Sequence, residues 1–495
     1  MVELRRGTLS GLDVRVNVPS YNRDKITPGI AHISVGGFHR AHQAVYLDRL
    51  FGQGLAHDWG IVGIGVMPQD RAMRDALAAQ DHLYTVVEKH ADGGLAPRVV
   101  GSIIDYRWAD EDTEAVLAVL GDPAIRIVSL TITEGGYHDN QITGELELDD
   151  DLRADLVSGA APRTAFGLIV EALSRRREAG VPAFTVMSCD NVPSNGVLTR
   201  RVISSFASLR DADLGEWIES EVHFPNSMVD RITPVTTDDD RVLVATEFGI
   251  DDRWPVVCEP YLQWVLEDDF ESGRPPLEDV GVQLVDNVIP YELMKMRLLN
   301  ASHGAMAHLG YLAGYRYAHE VCREPAFVEL LSGYMEKEAT PTLPAVPGVD
   351  LVDYRRQLIE RFANPQVLDT MPRLSADASD GFPKFLVPVI AHQLKAGGDV
   401  HRSALVIAAW ARYAEGVDEQ GRPIEVVDRR VEAICAAARH SLTDPVAFLA
   451  DRTLFGELQD SPRFVRLFTA ALKHLRERGA RATVECWAGD EPATL

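Results

Sequence analysis

The first half of the chain alternates short, wholly apolar β-type runs with helical stretches, and few folds accept that pattern. IRIVSLTIT (125–133) has almost no polar face, so both sides of such a strand must be covered. AHISVGG (31–37), IVGIGV (61–66) and FTVMSC (184–189) read the same way, and LYTVVEKH (83–90) and RVVGSIIDYRW (98–108) are also β-like. Between them, EDTEAVLAVLGDP (111–123) and FGLIVEALSRRREAG (166–180) have helical periodicity with glycine stops. Buried strands separated by helices predict an α/β, doubly wound parallel sheet of Rossmann type. From about residue 286 the texture changes. Helical periods dominate over 291–310, 325–337, 350–363, 384–396, 401–414, 424–439 and 461–478. The expected organisation is an N-terminal Rossmann-type domain over 1–285 and a mostly α-helical, substrate-binding and catalytic domain over 286–495.

With 495 residues, two or three domains are expected. The net charge of −25 argues against nucleic acid and anionic membranes as partners, because both call for basic patches. No apolar run approaches the ~18 residues of a transmembrane helix, and the N-terminus lacks a signal-peptide core, so a cytoplasmic protein is expected. Cys189, Cys258, Cys322, Cys435 and Cys486 are widely spaced, with no zinc-type pattern, and read as free thiols. No metal site is expected. Nothing in the pattern demands an oligomer, and a monomer suffices.

A nucleotide site is one reading of SVGGFHRAHQAVYLDRL (34–50). Gly36 and Gly37 end a strand, where backbone can approach a pyrophosphate. Phe38 follows, and Arg40 adds a cation. Ser34 stands where a first glycine belongs, so an ordinary tight turn is the other reading. Asp70, beyond the second strand, suits a ribose 2′-OH and hence NAD, or equally a helix N-cap.

The stretch YELMKMRLLNASHGAMAHLG (291–310) carries Glu292, Lys295, Asn300 and His303 among apolar residues. On a regular helix, measured from Lys295, Glu292 falls at about 60°, His303 at about 80° and Asn300 at about 140°. Met294, Leu298, Ala301 and Ala305 form the opposite, apolar face. A buried lysine with a lowered pKa is a usable base, and amide and imidazole groups can hold an oxyanion. A polar face paired within the protein is the alternative. Asn191 follows a strand end, where turn chemistry competes with ligand binding.

GGFHRAHQAVYLDRL, TITEGGYHD (131–139), SCDNVPSNG, NSMVDRITP (226–234) and KMRLLNASHG (295–304) occur in this order. Together they resemble the polyol-specific long-chain dehydrogenase/reductase family over nearly the whole chain. The resemblance implies an NAD-dependent, metal-independent oxidoreductase acting on a polyol or ketose. It implies Lys295 as general acid/base, and Asn191, Asn300 and His303 around the reacting oxygen. Asp230 and Arg373 would bind substrate, Glu292 would lie on a proton path to solvent, and Glu134 would join the cofactor residues. The role of Lys384 stays open. Mannitol to fructose is the expected reaction, with arabinitol, sorbitol and a hexuronate as alternatives. Gly381 stands where uronate-reducing relatives carry lysine, which favours a neutral polyol.

Overall fold

The computed structural model describes residues 1–139, 144–157 and 159–489. It divides into two compact units, Met1–Val288 and Ile289–Leu495. In the first, five parallel strands form one sheet: β1 Pro28–Ile33, β2 Gly60–Gly65, β3 Ile103–Trp108, β4 Ile127–Leu130 and β5 Thr185–Ser188. Their order is β3-β2-β1-β4-β5, the strand order of a dinucleotide-binding sheet. Helices α1 Gly37–Ala41, α2 Gln43–Gly52, α3 Asp70–Ala79, α4 Thr113–Gly121, α5 Ala165–Ala179 and α6 Asn195–Arg210 connect and cover it.

β1, β2, β4 and β5 are buried along nearly their whole length, whereas β3, at one edge of the sheet, carries half-buried Asp105 and exposed Arg107. Ala31 and Ile33 of β1 point into a core with Val116 and Leu120 of α4, Ile169 of α5 and Val202 of α6. Ile30 points the other way, into a core with Ala44, Leu47 and Phe51 of α2 and Leu77 of α3. Successive side chains on a strand face opposite sides, and a helix layer waits on each.

The run expected over 98–108 is two strands. Leu95–Val100 pairs antiparallel with Tyr84–Lys89 in a small separate sheet, and Ile103–Trp108 joins the main one. The chain changes sheet at Gly101 and Ser102. Gly101 N–H donates to Asp48 Oδ1 (3.0 Å), the Gly101 carbonyl accepts from Arg23 Nε (2.9 Å) and the Ser102 carbonyl from Ile61 N–H (3.0 Å), so these backbone groups are satisfied. A further strand, β6 Ser227–Asp230, runs antiparallel to Gln263–Glu267, with Asp230 opposite Gln263.

The second unit is helical. His401–Ala414 is its buried centre and packs against Ala301–Leu312 and Pro462–Trp487. The helix expected over 384–396 is two, Ala378–Phe385 and Val387–Ala396, divided after Pro383 and before Pro388. The one expected from 424 starts only at Val431, since Ile424, Val426 and Val427 are β-branched, poor helix formers. Pro462–Trp487 outruns its expected end at 478, but Gly479 breaks it with φ 79°, ψ 169°. All five cysteines are free thiols, and no helix among the described residues is long and apolar enough to cross a membrane.

Candidate active site

The parallel register Ile64–Ile33–Leu130–Ser188 lines up the C-terminal ends of β2, β1, β4 and β5. The segments carrying Asp70, Gly36–Gly37, Glu134 and Asn191 therefore leave the sheet along one edge. β1 lies where the strand order reverses, the place at which open α/β sheets take ligands.

The turn after β1 is bent at Ser34, which has φ 71°. Its carbonyl accepts from Gly36 N–H (2.9 Å) and from the Thr131 hydroxyl (2.7 Å). A Cβ built on Gly36 would meet nothing within 4 Å, and one on Gly37 only Thr233 at 3.8 Å. The backbone at both is thus open to close approach, as a pyrophosphate requires. Phe38, half-buried, stacks its ring on His42 at 4.8 Å.

Arg40 corrects the sequence reading. It is 1% exposed, its Nη1 donates to the Trp254 carbonyl (2.5 Å), and its guanidinium lies over the Tyr84 ring. Burial lowers its pKa to about 10. It braces the interior and is not presented to a phosphate. Asp70 opens α3, and its Oδ2 accepts from Val66 and Met67 N–H, both at 2.9 Å. Gln69 is the N-cap residue and makes no side-chain cap bond, so the capping reading does not hold: Asp70 reaches back to the loop ahead of the helix, and its other carboxylate oxygen makes neither of these two bonds. Glu134 starts a single 3₁₀ turn, Glu134–Tyr137, and is half-buried. Asn191 is exposed, and Asp230 closes β6 at 4% exposure.

Under the turn lies a buried polar chain that the sequence reading did not anticipate. His32 Nδ1 meets Ser129 Oγ (2.8 Å) and Nε2 meets Thr131 Oγ1 (3.0 Å), while His39 Nδ1 meets Gln43 Oε1 (2.9 Å). The two imidazoles stack at 3.4 Å. Burial depresses the His32 pKa to about 3 and that of His39 well below its usual value, and His308 in the second unit falls to about 4 for the same reason. These rings stay neutral in the fold, whereas in the unfolded chain they take up protons below about pH 6.5. Their contribution is complete above that pH and is lost as pH falls toward the folded values. Each should remove up to about 1.4 kcal/mol per pH unit. Burial raises the carboxyl groups of Asp190 (to about 6), Asp48, Asp252, Glu338 and Asp380, and these oppose it. We expect the urea midpoint to drop from pH 7 to pH 5 with net proton uptake on unfolding. A flat or rising midpoint would contradict neutral burial of the three rings.

In the second unit, Ile289–Met294 and Ala301–Leu312 are α-helical, but Lys295–Asn300 between them is a π turn. Ala301 N–H donates to the Met296 carbonyl, an i→i+5 bond. Tyr334 Oη donates to the Arg297 carbonyl (3.0 Å) inside the turn. Five residues then make nearly one revolution, so Asn300 returns toward the azimuth of Lys295 instead of lying about 140° away. His303, three residues on, falls in the same sector. Lys295 and Glu292 are 8% and 7% exposed, and Asn300 and His303 are half-buried. The His303 ring lies 4.7 Å from that of Phe362. Met294, Leu298, Ala301 and Ala305 are fully buried, as the apolar face requires.

Arg373 is exposed and forms a fork with Asp369, Nε to Oδ1 at 2.6 Å and Nη2 to Oδ2 at 2.5 Å. Burial and the nearby Arg429 lower the Lys384 pKa to about 8. A Cβ at Gly381 would come 2.6 Å from the Phe385 ring, which accounts for a residue without a side chain there. Among the described residues, Glu338, Asp399 and His401 form the one metal-like trio. Glu338 accepts from Arg402 N–H and from Ser403, and His401 bridges Asp399 to the Gly489 carbonyl. The trio caps the buried helix His401–Ala414.

Comparison with known proteins agrees with this architecture. Residues 28–279 match the mannitol dehydrogenase Rossmann domain and 287–476 the mannitol dehydrogenase C-terminal domain. Mannitol 2-dehydrogenase of Aspergillus fumigatus is 47% identical over 95% of each chain, and that of Phaeosphaeria nodorum is 46% identical over 98% of this chain and 86% of its own. The structure of Pseudomonas fluorescens mannitol 2-dehydrogenase in ternary complex with NAD and D-mannitol superposes with TM-score 0.90 at 46% identity, covering 98% of this chain and 99% of that one. A substrate-free D-sorbitol dehydrogenase follows at TM-score 0.88 and 38% identity, covering 97% and 99%. With both family domains present in order, the chain belongs to the mannitol dehydrogenase family of oxidoreductases.

Proposed function

We propose that this protein is an NAD-dependent, metal-independent polyol 2-dehydrogenase that interconverts D-mannitol and D-fructose, with Lys295 as general acid/base. The observation that carries this reading is the π turn. It gathers a buried lysine, an amide and an imidazole into one sector of a helix otherwise packed in apolar core. NAD, when bound, would supply the acceptor for the hydride of C2. Lys295 takes the proton of the C2 hydroxyl as that hydride leaves, and returns it when the ketone is reduced. Asn300 donates to the C2 oxygen with Asn191 as the second amide, and His303 orients it. Glu292, three residues before Lys295, passes the proton toward solvent. Asp230 accepts from substrate hydroxyls. Arg373 lines the polyol site with its guanidinium already held flat by Asp369. Gly36, Gly37, Phe38, Glu134 and Asp70 would hold the cofactor, the last on the side of a ribose hydroxyl.

The substrate is tested by assaying mannitol, sorbitol and arabinitol with NAD in EDTA-containing buffer. Mannitol should give the highest kcat/KM. A sorbitol preference would move the reading toward the sorbitol dehydrogenase structural relative, and no turnover until a divalent ion is supplied would end the metal-independent mechanism. Asp70→Ala should narrow the preference for NADH over NADPH, because a carboxylate repels a 2′-phosphate and accepts from a 2′-OH. An unchanged ratio would remove Asp70 from cofactor recognition and leave it only a brace for the Val66–Met67 backbone.

A further inference from the structure

Asp190 sits between the end of β5 and Asn191 and is 7% exposed. Its Oδ2 accepts from Ile132 N–H (3.0 Å) and Tyr137 Oη (2.8 Å), and its Oδ1 from Thr133 N–H (2.8 Å). Its carbonyl accepts from Asn195 Nδ2 (3.1 Å), which also donates to the Ser227 carbonyl (2.8 Å) at the start of β6. Ser227 N–H returns a bond to Asn195 Oδ1 (2.9 Å), and its hydroxyl donates to the Ser188 carbonyl (2.6 Å). One knot of hydrogen bonds therefore ties the exits of β4 and β5 to the entry of β6. Those three segments carry Glu134, Asn191 and Asp230.

The knot holds something that resists being held. Thr133 has φ 63°, ψ 167°, a region open essentially to glycine alone and severe for a β-branched residue. Such a conformation persists only where its surroundings over-determine it. Here the Thr133 N–H is fixed by one oxygen of Asp190 and the Ile132 N–H by the other. All three partners of the carboxylate can donate, so an ionised acceptor suits the arrangement.

We propose that Asp190 is a positioning residue: its carboxylate clamps the Ile132–Thr133 backbone in its strained form and so sets the Thr133–Glu134 peptide for the cofactor beside the Asn191 turn. This rests on the reading that this sheet edge takes NAD. Asparagine at 190 keeps the shape but turns an amino group toward one of the backbone donors. Asp190→Asn should weaken NADH binding, read by fluorescence titration, at least tenfold. It should lower kcat/KM for NAD by a similar factor, with a smaller change in KM for the polyol. Asp190→Asn with Thr133→Gly should recover much of the affinity, because glycine adopts the required φ without a clamp. A merely structural role would lower the unfolding midpoint with no cofactor-selective loss and no rescue by glycine. NADH affinity within twofold of wild type in a folded Asp190→Asn protein, or failure of the glycine rescue, overturns the proposal. If Asp190→Asn does not fold, Tyr137→Phe removes one donor and keeps the ring. It should weaken NADH binding by a smaller factor, and unchanged affinity there overturns the proposal equally. Wild type that binds NADH yet oxidises no polyol would sink the proposed function and leave this inference standing, since the affinity is read without substrate. Wild type that binds no NADH would overturn both.

Discussion

Lys295→Ala should abolish polyol oxidation from about pH 6 to about pH 10 while NADH still binds. The lysine lies at the first position of the π turn with 8% of its surface exposed, and alanine is well tolerated in a helix, so the fold should survive. What the variant loses is a group able to take a proton as C2 is oxidised. Cofactor binding is proposed to rest on other residues, in the Met1–Val288 unit, and should be unaffected. Steady-state assays across that range, with fluorescence titration of NADH, separate the two effects. Oxidation near the wild-type rate would mean that another group is the base. Parallel loss of NADH binding would mean that the substitution acts through structure.

The second large effect is expected at Asn300. Removing one oxyanion donor commonly costs about 10²–10³ in kcat, or about 2.7–4 kcal/mol of transition-state stabilisation. Asn300→Ala should show that loss mainly in kcat, because the amide interacts most strongly with charge that develops during the reaction. The substitution ends the π turn with a good helix former, so the unfolding midpoint should move little. A rise in KM with kcat unchanged would instead make Asn300 a ground-state contact. It would remove the amide from the proposed chemistry without touching the role of Lys295.

Much of the fold follows from local pattern. The runs at 125–133 and 184–189 each contain a strand of the parallel sheet, that at 61–66 overlaps Gly60–Gly65, and that at 31–37 overlaps only the last three residues of Pro28–Ile33. Met294, Leu298, Ala301 and Ala305 are all buried, as their apolar character implies. What sequence hides is set by partners far along the chain. Arg40 reads as a phosphate ligand beside two glycines, but Trp254 and Tyr84 draw it inward. The split of 98–108 depends on Asp48, and the Thr133 conformation on Asp190. The regular-helix geometry of 291–310 fails because no propensity scale encodes a single widened turn. Its interior carbonyl is satisfied by Tyr334, 37 positions away from Arg297.

That widened turn also changes what a small length change would do. A π turn amounts to one extra residue accommodated within an α-helix. Losing one residue between Met296 and Leu299 would let the regular i→i+4 ladder close, giving a locally simpler helix. Asn300 would then stand four residues after Lys295, about 40° from it, and His303 seven residues after, about 20° to the other side. Both would therefore stay in the sector they share with the lysine, whereas tightening the turn with every residue kept would carry Asn300 about 140° away. In this segment a one-residue gap in a relative's alignment would therefore leave the grouping intact, and the widened turn is what lets this chain carry one residue more without losing it.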